Sequence, residues 1–157
     1  MQSSKLIALV VDDQKNCRRL VRTVLNSAGV LNVLEANDGV EGIEAFNTSA
    51  IDIVFTDIKM PTLDGIEMIR MMRKEGQSDN PYVPIIVLTA YTDAANIKAC
   101  RDAGATELIA KPFTAQAILQ RLRIATERPR PFIRSKQYFG PDRRRRNAPI
   151  VGEDRRT

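Results

Sequence analysis

Residues 5–13, Lys-Leu-Ile-Ala-Leu-Val-Val-Asp-Asp, decide the fold. The apolar run is too short for a buried helix and leaves no alternate position polar, so it reads as a strand covered on both faces. After Asp12-Asp13 the period changes. Apolar residues fall at Cys17, Leu20, Val21, Val24, Leu25 and Ala28, three and four apart, and stop at Gly29, which predicts an amphipathic helix ending on a glycine. The same alternation continues down the chain. Strands are expected at 30–35, 51–56, 83–89 and 107–110, and helices at 39–47, 65–74, 93–103 and 115–126.

Five β/α units with short connections imply an α/β fold, a doubly wound five-stranded parallel sheet with helices on both faces, because right-handed crossovers carry the helices there. Ligands of such sheets bind outside the carboxyl ends of the strands, where strand order reverses. The residues at those ends are Asp12 and Asp13 after the first strand, Asp57 after the third, Thr89 after the fourth, and Lys111-Pro112 after the fifth. Gathered carboxylates repel one another unless a cation sits among them, and a hard divalent ion suits oxygen ligands, so Mg²⁺ (or Mn²⁺) is expected. A lysine and a hydroxyl beside them are suited to the oxygens of a phosphoryl group held on a carboxylate. Each residue alone has a plainer reading: Asp12-Asp13 as a helix cap, Thr89 as a strand end, Lys111 as a solvated surface group, Gly65 as a turn glycine. Their joint occurrence at successive strand ends favours the site.

Composition narrows the chemistry further. The chain has 157 residues, 43% hydrophobic and 27% charged, which suits one domain with a full core. It contains no histidine, which excludes Ser-His-Asp and Cys-His nucleophilic machinery, histidine metal sites and any phosphohistidine of its own. Cys17 and Cys100 lack metal-ligand spacing and read as reduced structural thiols. No membrane-length apolar run and no leader pattern occur, so a cytoplasmic protein is expected. The net charge of +5 is unevenly placed. Residues 1–127 hold 14 basic against 16 acidic side chains, while residues 128–157 hold 10 against 3. The basicity belongs to a Pro- and Arg-rich tail.

Residues 5 to about 126 resemble a response-regulator receiver domain of two-component signalling, the CheY-like, flavodoxin-like fold. The resemblance rests on Leu-Val-Val-Asp12-Asp13, on Ile-Val-Phe-Thr-Asp57-Ile-Lys-Met-Pro61 with Asp64-Gly65, on Ile-Ile-Val-Leu-Thr89-Ala90, and on Gly104-Ala-Thr-Glu-Leu-Ile-Ala-Lys111-Pro112-Phe113. It implies that Asp57 accepts a phosphoryl group from a partner histidine kinase or histidine phosphotransfer protein. It further implies that Asp12, Asp13, Asp57 and the backbone carbonyl of Lys59 hold the metal. Thr89, Ala90 and Lys111 are then the switch and phosphoryl-binding residues, and the Lys111–Pro112 bond is expected to be cis. Such a protein is a phosphoacceptor rather than an enzyme in the usual sense, although it promotes its own phosphorylation and dephosphorylation.

Two departures stand out. The aromatic residue usual three positions before the lysine is replaced by Leu108, and Lys59 and Tyr91 occupy positions that influence access of the hydrolytic water, which implies slow autodephosphorylation. The expected organisation is a receiver domain over 1–126 and a basic tail over 127–157 that forms no separate domain. Phe132, Ile133, Tyr138, Phe139, Ile150 and Val151 are apolar anchors for docking that tail, and Arg143, Arg144, Arg145 and Arg146 form its basic cluster.

The leading functional reading is a single-domain response regulator that switches a downstream protein target, as a monomer or weak dimer. The alternative is a regulator acting on nucleic acid through the arginine-rich tail. A haloacid-dehalogenase-like phosphohydrolase shares the aspartyl phosphate, but the Asp12-Asp13 and Lys-Pro contexts argue against it.

Overall fold

The computed structural model describes residues 3–144. After a short 3-10 turn (Ser3–Lys5) the elements run β1 (Ile7–Val11), α1 (Lys15–Ser27), β2 (Asn32–Ala36), α2 (Gly39–Thr48), β3 (Ile53–Thr56), α3 (Gly65–Met72), β4 (Ile85–Thr89), α4 (Ala94–Ala103), β5 (Glu107–Ala110) and α5 (Ala115–Glu127), with a hairpin of β6 (Phe132–Arg134) and β7 (Phe139–Pro141). The first five strands form one parallel sheet in the order β2-β1-β3-β4-β5. Strand order therefore reverses between β1 and β3, which places Asp12 and Asp57 side by side at the switch point.

The continuous apolar runs are explained by the two cores they feed. Ala8 and Val10 pack with Val21, Val24 and Leu25 of α1 and Ile118 and Leu122 of α5 on one face. Leu9 and Val11 point the other way, to Phe46 of α2, Met68, Ile69 and Met72 of α3, and Cys100 of α4. The period-two alternation of the strands persists, with both sides apolar.

The sheet strands β1 to β4 each begin two residues later than their sequence patterns predict. Val30, Ile51 and Val83 are fully or nearly fully buried but precede the ladder, so hydropathy marks where packing begins and not where strand pairing does. Helix starts follow local chemistry: Asp38, Asp64, Asp93 and Thr114 each accept a hydrogen bond from the backbone N–H three residues on. The α4 helix ends on Gly104 at φ 116°, a left-handed cap that favours glycine.

The chain beyond α5 turns back onto the body. Phe132 and Phe139 pack with Tyr82, at ring separations of 5.0 and 5.4 Å, and Tyr138 is buried. Ile133 is exposed and so does not serve as the anchor expected from sequence, because its side chain faces away from the body on the opposite side of β6 from Phe132. Among the tail residues singled out in the sequence, Arg145, Arg146, Ile150 and Val151 lie outside the described residues.

Candidate functional site

The site sits at the carboxyl edge of the sheet, and its centre is an ammonium group shared by two carboxylates. Lys111 Nζ, just beyond β5, donates to Asp12 Oδ2 at 2.8 Å and to Asp57 Oδ2 at 2.9 Å. The other oxygen of each aspartate is held by backbone: Gln14 N–H donates to Asp12 Oδ1 at 2.9 Å, and Ile58 N–H to Asp57 Oδ1 at 2.6 Å. Both carboxylates are nearly buried, with side chains 2% and 10% exposed, so the positions of their charges are set by the fold and not by solvent.

The electrostatics follow from that crowding. Burial pushes the Asp12 carboxyl up, but the Lys111 ammonium, the Gln14 N–H and the Cys17 thiol outweigh it and hold the group below the usual carboxylate range. Burial pulls Lys111 down, yet hydrogen bonds and attraction from Asp12 and Asp57 raise it above an ordinary lysine. Cys17, facing Asp12 from α1, is pushed up to about 12, first by burial and then by that carboxylate. It is a protonated thiol at neutral pH.

The remaining sequence-predicted residues surround this centre. Thr89 ends β4 fully buried, and its Oγ1 accepts a hydrogen bond from Tyr91 N–H at 3.0 Å. Ala90 follows it at the exposed rim. Lys111 N–H donates to the Thr89 carbonyl at 2.9 Å, which ties the two strand ends together, and the Lys111–Pro112 bond is cis. Lys59 is exposed in the β3–α3 loop and lays its ammonium 5.3 Å from the centre of the Tyr91 ring. Asp13 is exposed next to Asp12.

Two contributors were not assigned a site role from sequence. Arg18, one turn into α1, donates through Nη1 to the Asp12 carbonyl at 2.8 Å and through Nε to Glu35 at 3.0 Å, fixing the backbone beneath the acidic pair. Its helical spacing toward the active edge is the only signal the sequence offers. Gly65 is more than a turn glycine. A Cβ there would lie 2.1 Å from the Asp57 carbonyl oxygen, so the start of α3 packs directly against the backbone of Asp57.

A divalent metal fits this donor set. Mg²⁺ retains several waters and needs only one or two protein carboxylates plus phosphate oxygens, and Asp12 and Asp57 converge on one point already occupied by positive charge. Among the described residues, no group of three or more His, Cys, Asp or Glu side chains is gathered so as to hold a metal unaided. Water and backbone oxygens therefore have to complete the shell.

Residues 8–123 match the family model for the response regulator receiver domain. The chain belongs to that family. Over 123 residues this receiver is 37% identical to the response regulator MprA of Mycobacterium leprae (strain TN) and equally to that of Mycobacterium avium (strain 104). Those alignments cover 78% of this chain and 52% of each relative, so the chain spans about half the length of the curated relatives it matches. Among solved structures, the receiver is similar to the chemotaxis protein CheY4 of Vibrio cholerae, at 30% identity and TM-score 0.69, covering 75% of this chain and 96% of that one. It is also similar to the receiver domain of the sensor histidine kinase PA1611 of Pseudomonas aeruginosa PAO1, at 28% identity and TM-score 0.68, covering 75% and 94%. That domain was solved with a magnesium ion coordinated in its active-site cleft. No helix among the described residues is long and apolar enough to cross a membrane.

Proposed function

We propose that this chain is a phosphorylation-controlled protein-binding module in which Asp57 accepts a phosphoryl group from a phosphohistidine on a partner kinase or phosphotransfer protein. The observation that carries the reading is the Lys111 ammonium bridging Asp12 and Asp57 at the switch point of the sheet. In the transfer, an Asp57 carboxylate oxygen forms the new O–P bond as the N–P bond breaks, and the electron pair of that bond leaves with the imidazole. The chain contains no histidine, so the donor ring comes from the partner. Asp12, Asp13 and Asp57, with the Lys59 carbonyl, would hold Mg²⁺ or Mn²⁺ directly or through water, and the metal would offset negative charge as the phosphoryl group moves between nitrogen and oxygen.

The chain's own residues then carry the switch. Lys111 stays within reach of Asp57 and pairs with phosphoryl oxygens. The Thr89 hydroxyl leaves the Tyr91 N–H and turns to the new group, beside the Ala90 backbone, shifting a two-state equilibrium toward the form that binds the downstream target. The module acts in the cytoplasm as a monomer or weak dimer and is not an enzyme in the usual sense. The tail is less suited to nucleic acid than its composition implies, because Arg143 pairs with Asp102 at 2.7 Å and Arg144 with Asp142 at 2.7 Å.

Intact mass after incubation with Mg²⁺ and a small phosphodonor tests the reading. A gain of about 80 Da, one phosphoryl group, that requires both the metal and Asp57 is expected. The same gain in Asp57→Asn, or none in the folded wild-type chain with its kinase present, overturns it.

A further inference from the structure

The family match ends at residue 123, yet the chain beyond α5 is built into the body rather than appended to it. Arg73, at the end of α3, is 4% exposed and forms no ion pair among the described residues. Its guanidinium donates to the carbonyls of Gly104, Pro81 and Val83 and to Thr106 Oγ1, and its charged face lies 5.0 Å from the Phe132 ring. Phe132 thus stacks over a buried cation of the body.

Arg130 ties the same segment to the sheet. It donates to the Thr106 carbonyl and the Glu107 carboxylate on one side and to the carbonyls of Asp142 and Arg144 on the other, gathering both ends of the hairpin onto the start of β5. At the centre the hairpin backbone comes close to the body backbone. A Cβ on Gly140 would lie 3.3 Å from Gly104 Cα and 2.6 Å from the Tyr138 hydroxyl, which itself donates to the Pro141 carbonyl. Arg134 with Glu75 and Arg143 with Asp102 complete the rim.

The location gives this contact a function. Arg130 of the tail bonds the Thr106 carbonyl, and Arg73 of the body, covered by Phe132, bonds Thr106 Oγ1, which also accepts from Ile85 N–H, so the segment meets the amino ends of β4 and β5 directly and through Arg73. At the carboxyl ends of those same strands lie Thr89 and Lys111, each only four residues beyond the strand's first residue. With the hairpin seated, Thr89 Oγ1 accepts from Tyr91 N–H and Lys111 is shared by Asp12 and Asp57. A phosphoryl group on Asp57 requires both side chains to change partners.

We infer that residues 128–144 are a strap that holds the receiver in its unphosphorylated arrangement, and that loading Asp57 loosens it. The inference rests on the reading that Asp57 takes the phosphoryl group. Linkage makes the effect reciprocal: a chain whose strap cannot seat must bind a phosphoryl mimic more tightly, by the factor by which the mimic promotes strap opening.

The test uses the full chain with Mg²⁺ and beryllofluoride, an equilibrium mimic of the aspartyl phosphate. Hydrogen exchange is followed at the Ser135 and Asp142 amides, which donate to the Tyr138 and Pro131 carbonyls within the strap. Expected are protection of both amides in the free protein, about fivefold or faster exchange on loading, and a matching gain in beryllofluoride affinity in Gly140→Val. Phe132→Ala, which removes a side chain outside the sheet, must give the same direction if Gly140→Val folds poorly. Binding of the mimic with unchanged strap exchange and unchanged affinity in both variants overturns the strap alone. No binding in any of the three proteins overturns the Asp57 reading, and the strap inference falls with it.

Discussion

Replacing Lys111 by methionine keeps most of the apolar stem and removes only the charge at the centre of the site. The ammonium makes two charge-assisted hydrogen bonds, at 2.8 and 2.9 Å, and its side chain is 16% exposed, so solvent replaces little of what is lost. At about 1.5–3 kcal/mol for each such bond, less the cost of desolvating the lysine that methionine does not incur, the variant should lose about 2–4 kcal/mol at pH 7 without metal. The pH dependence that Asp12 contributes should reverse in the variant. In the wild type the Asp12 carboxyl is held low, so its stabilising contribution is present above about pH 4, the unfolded value, and is lost as pH falls through the lower folded value. In Lys111→Met burial acts without its main counterweight and raises that carboxyl, so acidification from pH 7 to 4 relieves the variant and narrows the gap. Mg²⁺ should narrow it too, because the metal becomes the principal counter-charge; a tenfold tighter site adds about 1.4 kcal/mol at saturation. Urea unfolding in EDTA and in Mg²⁺, at pH 7 and pH 4, measures every term. A gap that stays constant across pH and metal would refute the shared-ammonium account of the site.

Further outcomes follow from the geometry around that centre. Gly65→Ala sets a methyl group against the Asp57 carbonyl at 2.1 Å, and backbone cannot yield as a side chain does; a loss of about 1–3 kcal/mol in urea unfolding and slower phosphorylation are expected. Tyr91→Ala removes the ring over which Lys59 lies, opening the approach to Asp57; loss of label from the phosphoprotein should quicken severalfold, and an unchanged rate would show that the ring does not shield the phosphoryl group. Burial raises Cys17 to about 12, with Asp12 adding to it, and Cys100 to about 11, so iodoacetamide at pH 8 should leave both thiols essentially unmodified in the native chain within minutes and label both in urea, as read by intact mass.

Much of the sheet was legible because its residues have one job each. Leu9 and Val10 face opposite cores, and no polar position interrupts them, so the run announces a doubly covered strand whatever follows. Asp12, Asp57 and Lys111 were legible for a different reason: parallel topology brings all strand ends to one edge, so residues 45 and 54 positions apart in sequence become neighbours without any knowledge of their side-chain angles. What sequence could not supply was contact made by backbone. Gly65 against the Asp57 carbonyl is an approach that only the absence of a side chain permits, Gly140 sits tightly against the Tyr138 ring and Gly104, and a glycine in a sequence does not say which neighbour it admits.

The tail shows the same limit from the side of charge. Its arginines read as free because the acids that meet them are scattered: Glu75 after α3, Asp102 in α4 and Glu107 in β5 answer Arg134, Arg143 and Arg130. Arg73 is the sharper case. Nothing near it in the chain marks it as buried, since its partners are carbonyls from the approach to β4 and from the α4–β5 turn, and carbonyls carry no identity in a sequence. A cation satisfied by carbonyls and one hydroxyl is stable inside a protein when its donors are met and water is kept off its face. Phe132 supplies that cover from the far end of the chain, which makes the last strands part of the receiver's own energetics and ties a segment without a family signature to the two strands that present Thr89 and Lys111.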